Sequence, residues 1–234
     1  MLKERLSPSL GSKLLSQPIA KVAYNIINPK PLRSAPAQKG LNFEGALISN
    51  QQKKPLNIFK GTKTRGAKFE QWVKENEFKP EDCMTESEFS EIKPFLSSMG
   101  AQGVIPIIEG MRYQEHLEST IDHCFCDFSS DDLVIEMKVT SQAQDFGKHI
   151  AQMNYDLQCY MQMKLTNHQR EFRWLVIDAD APHVATLLEP HADVMASGER
   201  KYKRCRELFD RLNEYEGLGP ISTHTVDIPS WAKH

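Results

Sequence analysis

The stretch "DLVIEMKVT", residues 132–140, decides how the chain is read. Period-two alternation sets Leu133, Ile135, Met137 and Val139 on one face of a strand, and Val134, Glu136, Lys138 and Thr140 on the other. Its apolar density predicts a buried strand. The opposite charges of Glu136 and Lys138 then share one face of it. On a solvent-facing strand such a pair contributes little. In a buried one, the carboxylate is suited to hold a cation and the ammonium to meet an anion.

Working outward, "SSDD" (129–132) turns "STIDHCFCDF" (119–128) back onto this strand. The hairpin is expected to bring Asp122 and Glu136 together as neighbours, with Lys138 one pleat further along the same face. Two carboxylates bind a hard divalent cation through oxygen, and Mg²⁺ keeps waters and takes a substrate phosphate as a further ligand. Mn²⁺ is an accepted substitute. A lysine beside the attacking water offsets charge developing on phosphorus. The set suits phosphodiester hydrolysis.

A helix is expected from about Gln142 to Leu165, with Phe146, Ile150, Met153, Leu157 and Met161 on one face. "FRWLVID" (172–178) and "HVATLLE" (183–189) read as strands, and residues 192–215 as a long helix. Upstream, "VIPIIEGMRYQEHLESTIDHCFCDF" (104–128) reads as β-rich. "TESEFSEIKPFLSSM" opens with a capping pair, Thr85 and Glu88, and "AKFEQWVKEN" (67–76) has helical spacing. "GLNFEGALIS" (40–49) reads as a helical turn or two, and residues 1–40 as short helices broken at Pro18 and Pro29. The order predicts an α/β fold in one domain, residues 1–234: a helical part (1–100) with a basic loop, and an α/β core (101–234).

The 234 residues carry a net charge of −2, so any nucleic-acid binding must come from a local patch. "KKPLNIFKGTKTRGAK" supplies one: Lys53, Lys54, Lys60, Lys63, Arg65 and Lys68, with no acid and with glycines that let a loop follow a phosphate backbone. A second cluster, "RKYKRCR" (200–206), reads as a solvated helix surface. Five cysteines, an odd number, argue against a disulfide framework and for a reducing, cytoplasmic compartment. No apolar run suggests a membrane span or a secretory signal. His116, His123, Cys124 and Cys126 lack zinc-loop spacing, and buried thiols are the better reading.

The pattern "STIDHCF…LVIEMKVT", followed by a helix bearing "YDLQCY", resembles the PD-(D/E)xK nuclease superfamily, nearest to its phage-type RecE (exonuclease VIII) and RecB-nuclease-like exonucleases. The resemblance touches most of residues 40–234 and is strong over 121–160. It implies a restriction-endonuclease-like core with a central mixed sheet flanked by helices. It also implies a Mg²⁺-dependent exonuclease acting on duplex DNA ends, 5′-to-3′, in recombination or repair.

Carried over residue by residue, Asp122 and Glu136 match the metal-binding carboxylates and Lys138 the catalytic lysine. Gln158 matches the helix glutamine near the site, and Tyr155 the tyrosine three residues before it, placed against DNA. Glu44, in "GLNFE", fits an extra metal-side group from an early helix, and Glu109 a glutamate opening the long strand, a role for which Glu115 and Glu118 compete. Two positions depart from the pattern: Gln162 stands where a tyrosine is frequent, and Glu44 where many members have His. Implied partners are DNA ends, a homo-oligomeric ring and a single-strand annealing protein, in a bacterial or phage-infected cell. An iron–sulfur branch of the superfamily is disfavoured because the cysteines form no terminal cluster. The competing readings are an endonuclease and a non-catalytic DNA-binding or assembly protein on the same fold.

Overall fold

Local chemistry sets the first boundaries. Ser7 accepts the Leu10 N–H and Pro8 occupies the first turn, starting α1 (Pro8–Ser16); Pro18 then caps α2 (Ile19–Ile27). The computed structural model describes residues 5–28, 35–62, 66–80 and 83–215, and of residues 35–38 the backbone alone. Helix α3 (Ala35–Gln52) is far longer than the turn or two expected. β1 (Asn57–Phe59), α4 (Ala67–Glu75) and β2 (Cys83–Thr85) follow, with β1 and β2 pairing in parallel. Thr85 and Glu88 close the expected capping box on α5 (Glu86–Ala101).

"VIPII" does not begin a strand. Gly103, with φ of 73°, turns the chain into α6 (Val104–Ile108). Pro106 is tolerated there because first-turn N–H groups have no helical acceptor anyway.

The main sheet has five strands in chain order: β3 (Arg112–Glu118), β4 (His123–Ser129), β5 (Leu133–Thr140), β6 (Glu171–Asp178) and β7 (Ala185–Leu188). Only β5 and β6 are parallel, so the sheet is mixed. The turn into β5 is fixed by Ser130, whose Oγ accepts the N–H groups of Asp132 and Leu133. Between β5 and β6 the chain makes a 3₁₀ turn (Ala143–Asp145), α7 (Phe146–Gln152) and α8 (Tyr155–Leu165). The single helix expected here is broken at Asn154, which adopts φ of 57°. Helix α9 (Ala192–Asn213) closes the described fold.

Both sheet faces are covered, which explains the unbroken apolar run of β5. Ile135 and Met137 pack with Phe43, Phe95, Phe128 and Leu175 under α3 and α5. Val134 packs with Phe146, Cys159, Trp174 and Val176 on the α8 side. α8 is buried on its back as well, because Leu157 and Met161 join Leu10, Tyr202 and Phe209 of α1 and α9. Gly198 permits that closeness: a Cβ there would stand 2.3 Å from the Asp156 carbonyl oxygen. Among the described residues no helix is long and apolar enough to cross a membrane. The five cysteines are buried and none is in a disulfide.

Candidate active site

Two strands change face at one point. Tyr113 and Phe128 belong with the core under α3 and α5, whereas Leu117, Cys124 and Cys126 belong with the core under α8. Uninterrupted alternation would put Tyr113 and Leu117 on one side. Pairing between β3 and β4 skips Gln114 and Asp127 at the change, and Gln114 sits at φ of 49°, a costly conformation for a side chain with a Cβ. β4 and β5 pair only through Phe128↔Ile135 and Ser129↔Val134. Beyond them β4 leaves its neighbour. The Met137 N–H, lacking a strand partner, donates instead to Asp127 Oδ2 at 2.8 Å.

That departure assembles a charged site. Glu136 is buried and accepts from three donors: Lys138 Nζ at 2.7 Å and Gln158 Nε2 on Oε1, and Gln162 Nε2 at 2.9 Å on Oε2. Gln158 and Gln162 are one turn apart on α8, so they reach the strand side by side. Gln162 also donates to the Phe125 carbonyl at 2.9 Å, tying α8 to β4. Lys138 lies 4.8 Å from the centre of the Tyr155 ring. From the other face, Glu44 of α3 accepts from Gln114 Nε2.

The electrostatics show an excess of negative charge. Burial and then the carboxylates of Glu136 and Glu44 hold Asp127 well above the usual carboxylate range. Glu44 is raised by burial first and by Glu136 second. Burial alone would lower the Lys138 ammonium, but Glu136 and Asp127 outweigh it and keep it firmly protonated. One lysine thus faces three carboxyl groups. A divalent cation would relieve the imbalance, so the donor set fits one. Among the described residues no three His, Cys, Asp or Glu side chains close into a metal cage by themselves.

Asp122 is not part of this site. It lies at the start of β4, 1% exposed, where its Oδ2 accepts from Lys164 Nζ at 2.9 Å and Tyr202 Oη at 2.7 Å, and Arg206 stands 3.7 Å from Oδ1. The backbone beside it is clasped by Leu6, which donates to Ile121 O and accepts from the His123 N–H, both at 2.9 Å. Asp122 therefore ties β4 to α8, α9 and the segment before α1. Asp122→Ala is expected to cost about 2 kcal/mol, since it removes the acceptor shared by the buried Tyr202 hydroxyl and the partly exposed Lys164 ammonium. A lowered urea midpoint with an unchanged slope would show it.

Other expectations also move. Glu109 lies in the exposed turn after α6 instead of opening the long strand. Glu115 of β3 is taken by Arg170 and Arg112. Tyr155 is half-buried, stacked on Phe146 and facing Lys138, which makes it packing for the lysine. Lys53, Lys54, Lys60 and Lys68 are exposed, whereas Lys63 and Arg65 lie outside the described residues. The 200–206 cluster is divided: Lys203–Glu199 and Arg204–Glu207 are exposed pairs on the helix surface, as expected, whereas Lys201 and Arg206 turn inward to the buried carboxylates of Asp156 and Asp122. A cleft of about 490 Å³ is lined by Glu44, Gln114, Ser49, Gln52, Lys54 and Asn57, so Glu44 and Lys54 border the same cavity.

Two solved structures are similar to this chain. One, from Eubacterium rectale and described as a "Putative exonuclease", aligns with 90% of this chain and 82% of its own, at a TM-score of 0.62 and 10% identity. The other, a "phage related exonuclease" from Haemophilus somnus 129PT, aligns over 90% and 95% of the two chains at a TM-score of 0.38 and 13% identity. The first shows the fold: a mixed sheet flanked by helices. By sequence, no protein-family model and no curated protein matches the chain.

Proposed function

We propose that this chain is a divalent-cation-dependent deoxyribonuclease that hydrolyses phosphodiester bonds from the ends of duplex DNA. The observation that carries the reading is Asp127 beside Glu136 and Lys138, at the place where β4 leaves β5. Asp127 and Glu136 would hold the cation, Mg²⁺ by its preference for carboxylate oxygen, with Glu44 adding negative charge nearby. When bound, it would supply positive charge to the phosphoryl oxygens.

The chain's own residues do the rest. Gln158 and Gln162 fix both oxygens of Glu136, so the carboxylate need not reorganise as charge develops. Lys138, held between Glu136 and Tyr155, directs its ammonium to the attacking water and to negative charge building on phosphorus. The likeness in fold to the Eubacterium rectale structure, described as a "Putative exonuclease", supports the nuclease reading. The sequence resemblance to RecE-like enzymes supports 5′-to-3′ digestion, a homo-oligomeric ring and handover of the exposed strand to an annealing protein. The test is a time course on end-labelled linear duplex with Mg²⁺ or EDTA, beside a covalently closed circle. Metal-dependent loss of label from the linear substrate alone supports the proposal. Cutting of the circle would make the protein an endonuclease, and binding without cutting would make it a DNA-binding protein.

The exposed lysines of residues 53–60, of which Lys54 borders the cleft, provide the backbone contact. Neutralising Lys53, Lys54 and Lys60 together is expected to weaken duplex binding and reduce the slope of log affinity against log salt by about 2 to 3. An unchanged slope would take this segment off the DNA path.

A further inference from the structure

Past the point where the strands change face, one surface of the β3–β4 hairpin is aromatic. Phe125 is 50% exposed, yet it lies in the middle of β4, two residues from Asp127. Its ring stacks on that of His116, its partner across the ladder, at 4.6 Å between centres and 19° between planes. His123 meets His116 edge-on at 5.6 Å. The opposite surface holds buried Leu117, Cys124 and Cys126, so the hairpin is anchored behind the stack. Gln162 bonds the Phe125 carbonyl as well as Glu136, and this holds the stack and the carboxylate in one frame.

We infer that the Phe125–His116 stack receives an unpaired base of the DNA strand whose backbone lies at Asp127 and Glu136. This rests on the nuclease reading and adds a base-binding subsite to it. Two residues of strand span about 7 Å, which places the ring within reach of a nucleotide attached to a phosphate at the carboxylates. Stacking is indifferent to sequence because every base has a flat face. A digesting enzyme needs that indifference. The platform is flat, aromatic and imidazole-backed, not a broad aliphatic surface, which favours a base over a second protein chain as its occupant.

The experiment uses the full chain, Ca²⁺ in place of Mg²⁺, and oligodeoxynucleotides carrying 2-aminopurine at successive positions from one end. Stacking quenches this fluorophore. The expected result is a quench at one position on binding. Phe125→Ala should relieve it and weaken binding roughly tenfold, in line with the usual worth of a stacked base. Phe125→Trp should preserve it, and an abasic site at that position should erase the difference between wild type and Phe125→Ala. If Phe125→Ala cleaves DNA but leaves quench and affinity unchanged, the inference is wrong and the nuclease reading stands. If Phe125→Ala changes the sedimenting mass and not the quench, the surface belongs to a second copy and the inference is equally overturned. If the wild type neither binds nor cuts DNA, both fail.

Discussion

Asp127→Asn is expected to make the protein more stable and inactive at once. Asn keeps the oxygen that accepts the Met137 N–H and removes a charge that its neighbours oppose. A carboxyl held above its unfolded pKa binds its proton more tightly in the folded state. Its contribution to stability therefore falls as pH rises from the ordinary carboxylate range through the raised folded value, by about 1.4 kcal/mol per unit of difference. Without metal, the variant should exceed wild type at neutral pH, and the gap should close near pH 4. Adding Mg²⁺ should reverse the order. At about a hundredfold excess over its dissociation constant, a ligand adds roughly 2.7 kcal/mol, and the variant lacks one carboxylate to receive it. Cleavage should fall about a thousandfold or more, some 4 kcal/mol of transition-state stabilisation. Thermal melts at two pH values, with Mg²⁺ and with EDTA, check the stability pattern. A variant less stable than wild type at neutral pH without metal would contradict the excess of negative charge.

Lys138→Met separates binding from chemistry. Methionine replaces the aliphatic stem but removes the ammonium, and with it the cation–π contact on the Tyr155 ring. Cleavage should drop by about 10²- to 10⁴-fold, the range for a group acting on a proton or a developing charge. DNA binding should persist within a fewfold, because the lysines of residues 53–60 are untouched. Mg²⁺ should still raise the melting temperature, since Asp127 and Glu136 remain. Single-turnover cleavage, filter binding and a thermal shift distinguish these effects. Cleavage within tenfold of wild type would remove Lys138 from the reaction.

Much of this was readable from residue types. The apolar run of β5, its two charges and the turn before it identified the central hairpin, and Thr85 with Glu88 marked the start of α5. Gln158 was placed correctly beside Glu136. The aspartate was not. Asp122 sits in an apolar strand and fits the motif by eye, but the turn fixes the register: Phe128 faces Ile135, so Asp127 falls opposite Glu136 and Asp122 falls beyond Thr140. Counting from the turn puts Asp127, not Asp122, level with Glu136.

Other features had no local signal. The change of face at Gln114 and Asp127 depends on what packs above each half of the hairpin, and a single window of sequence does not hold that information. The break at Asn154 splits a continuous helical pattern because Phe146 is drawn to the sheet while Leu157 and Met161 are drawn to α1 and α9. Gln162 resembled a lost tyrosine. In the fold it is the second clamp on Glu136, doing with an amide what register alone makes available.

The most direct test compares three proteins on end-labelled linear duplex: wild type, Asp127→Asn and Asp122→Asn, each with Mg²⁺ and with EDTA, at a temperature where circular dichroism shows all three folded. The account predicts Mg²⁺-dependent cleavage by wild type and by Asp122→Asn, and none by Asp127→Asn. Cleavage retained in Asp127→Asn but lost in folded Asp122→Asn would return the metal to the start of β4 and contradict the site described here.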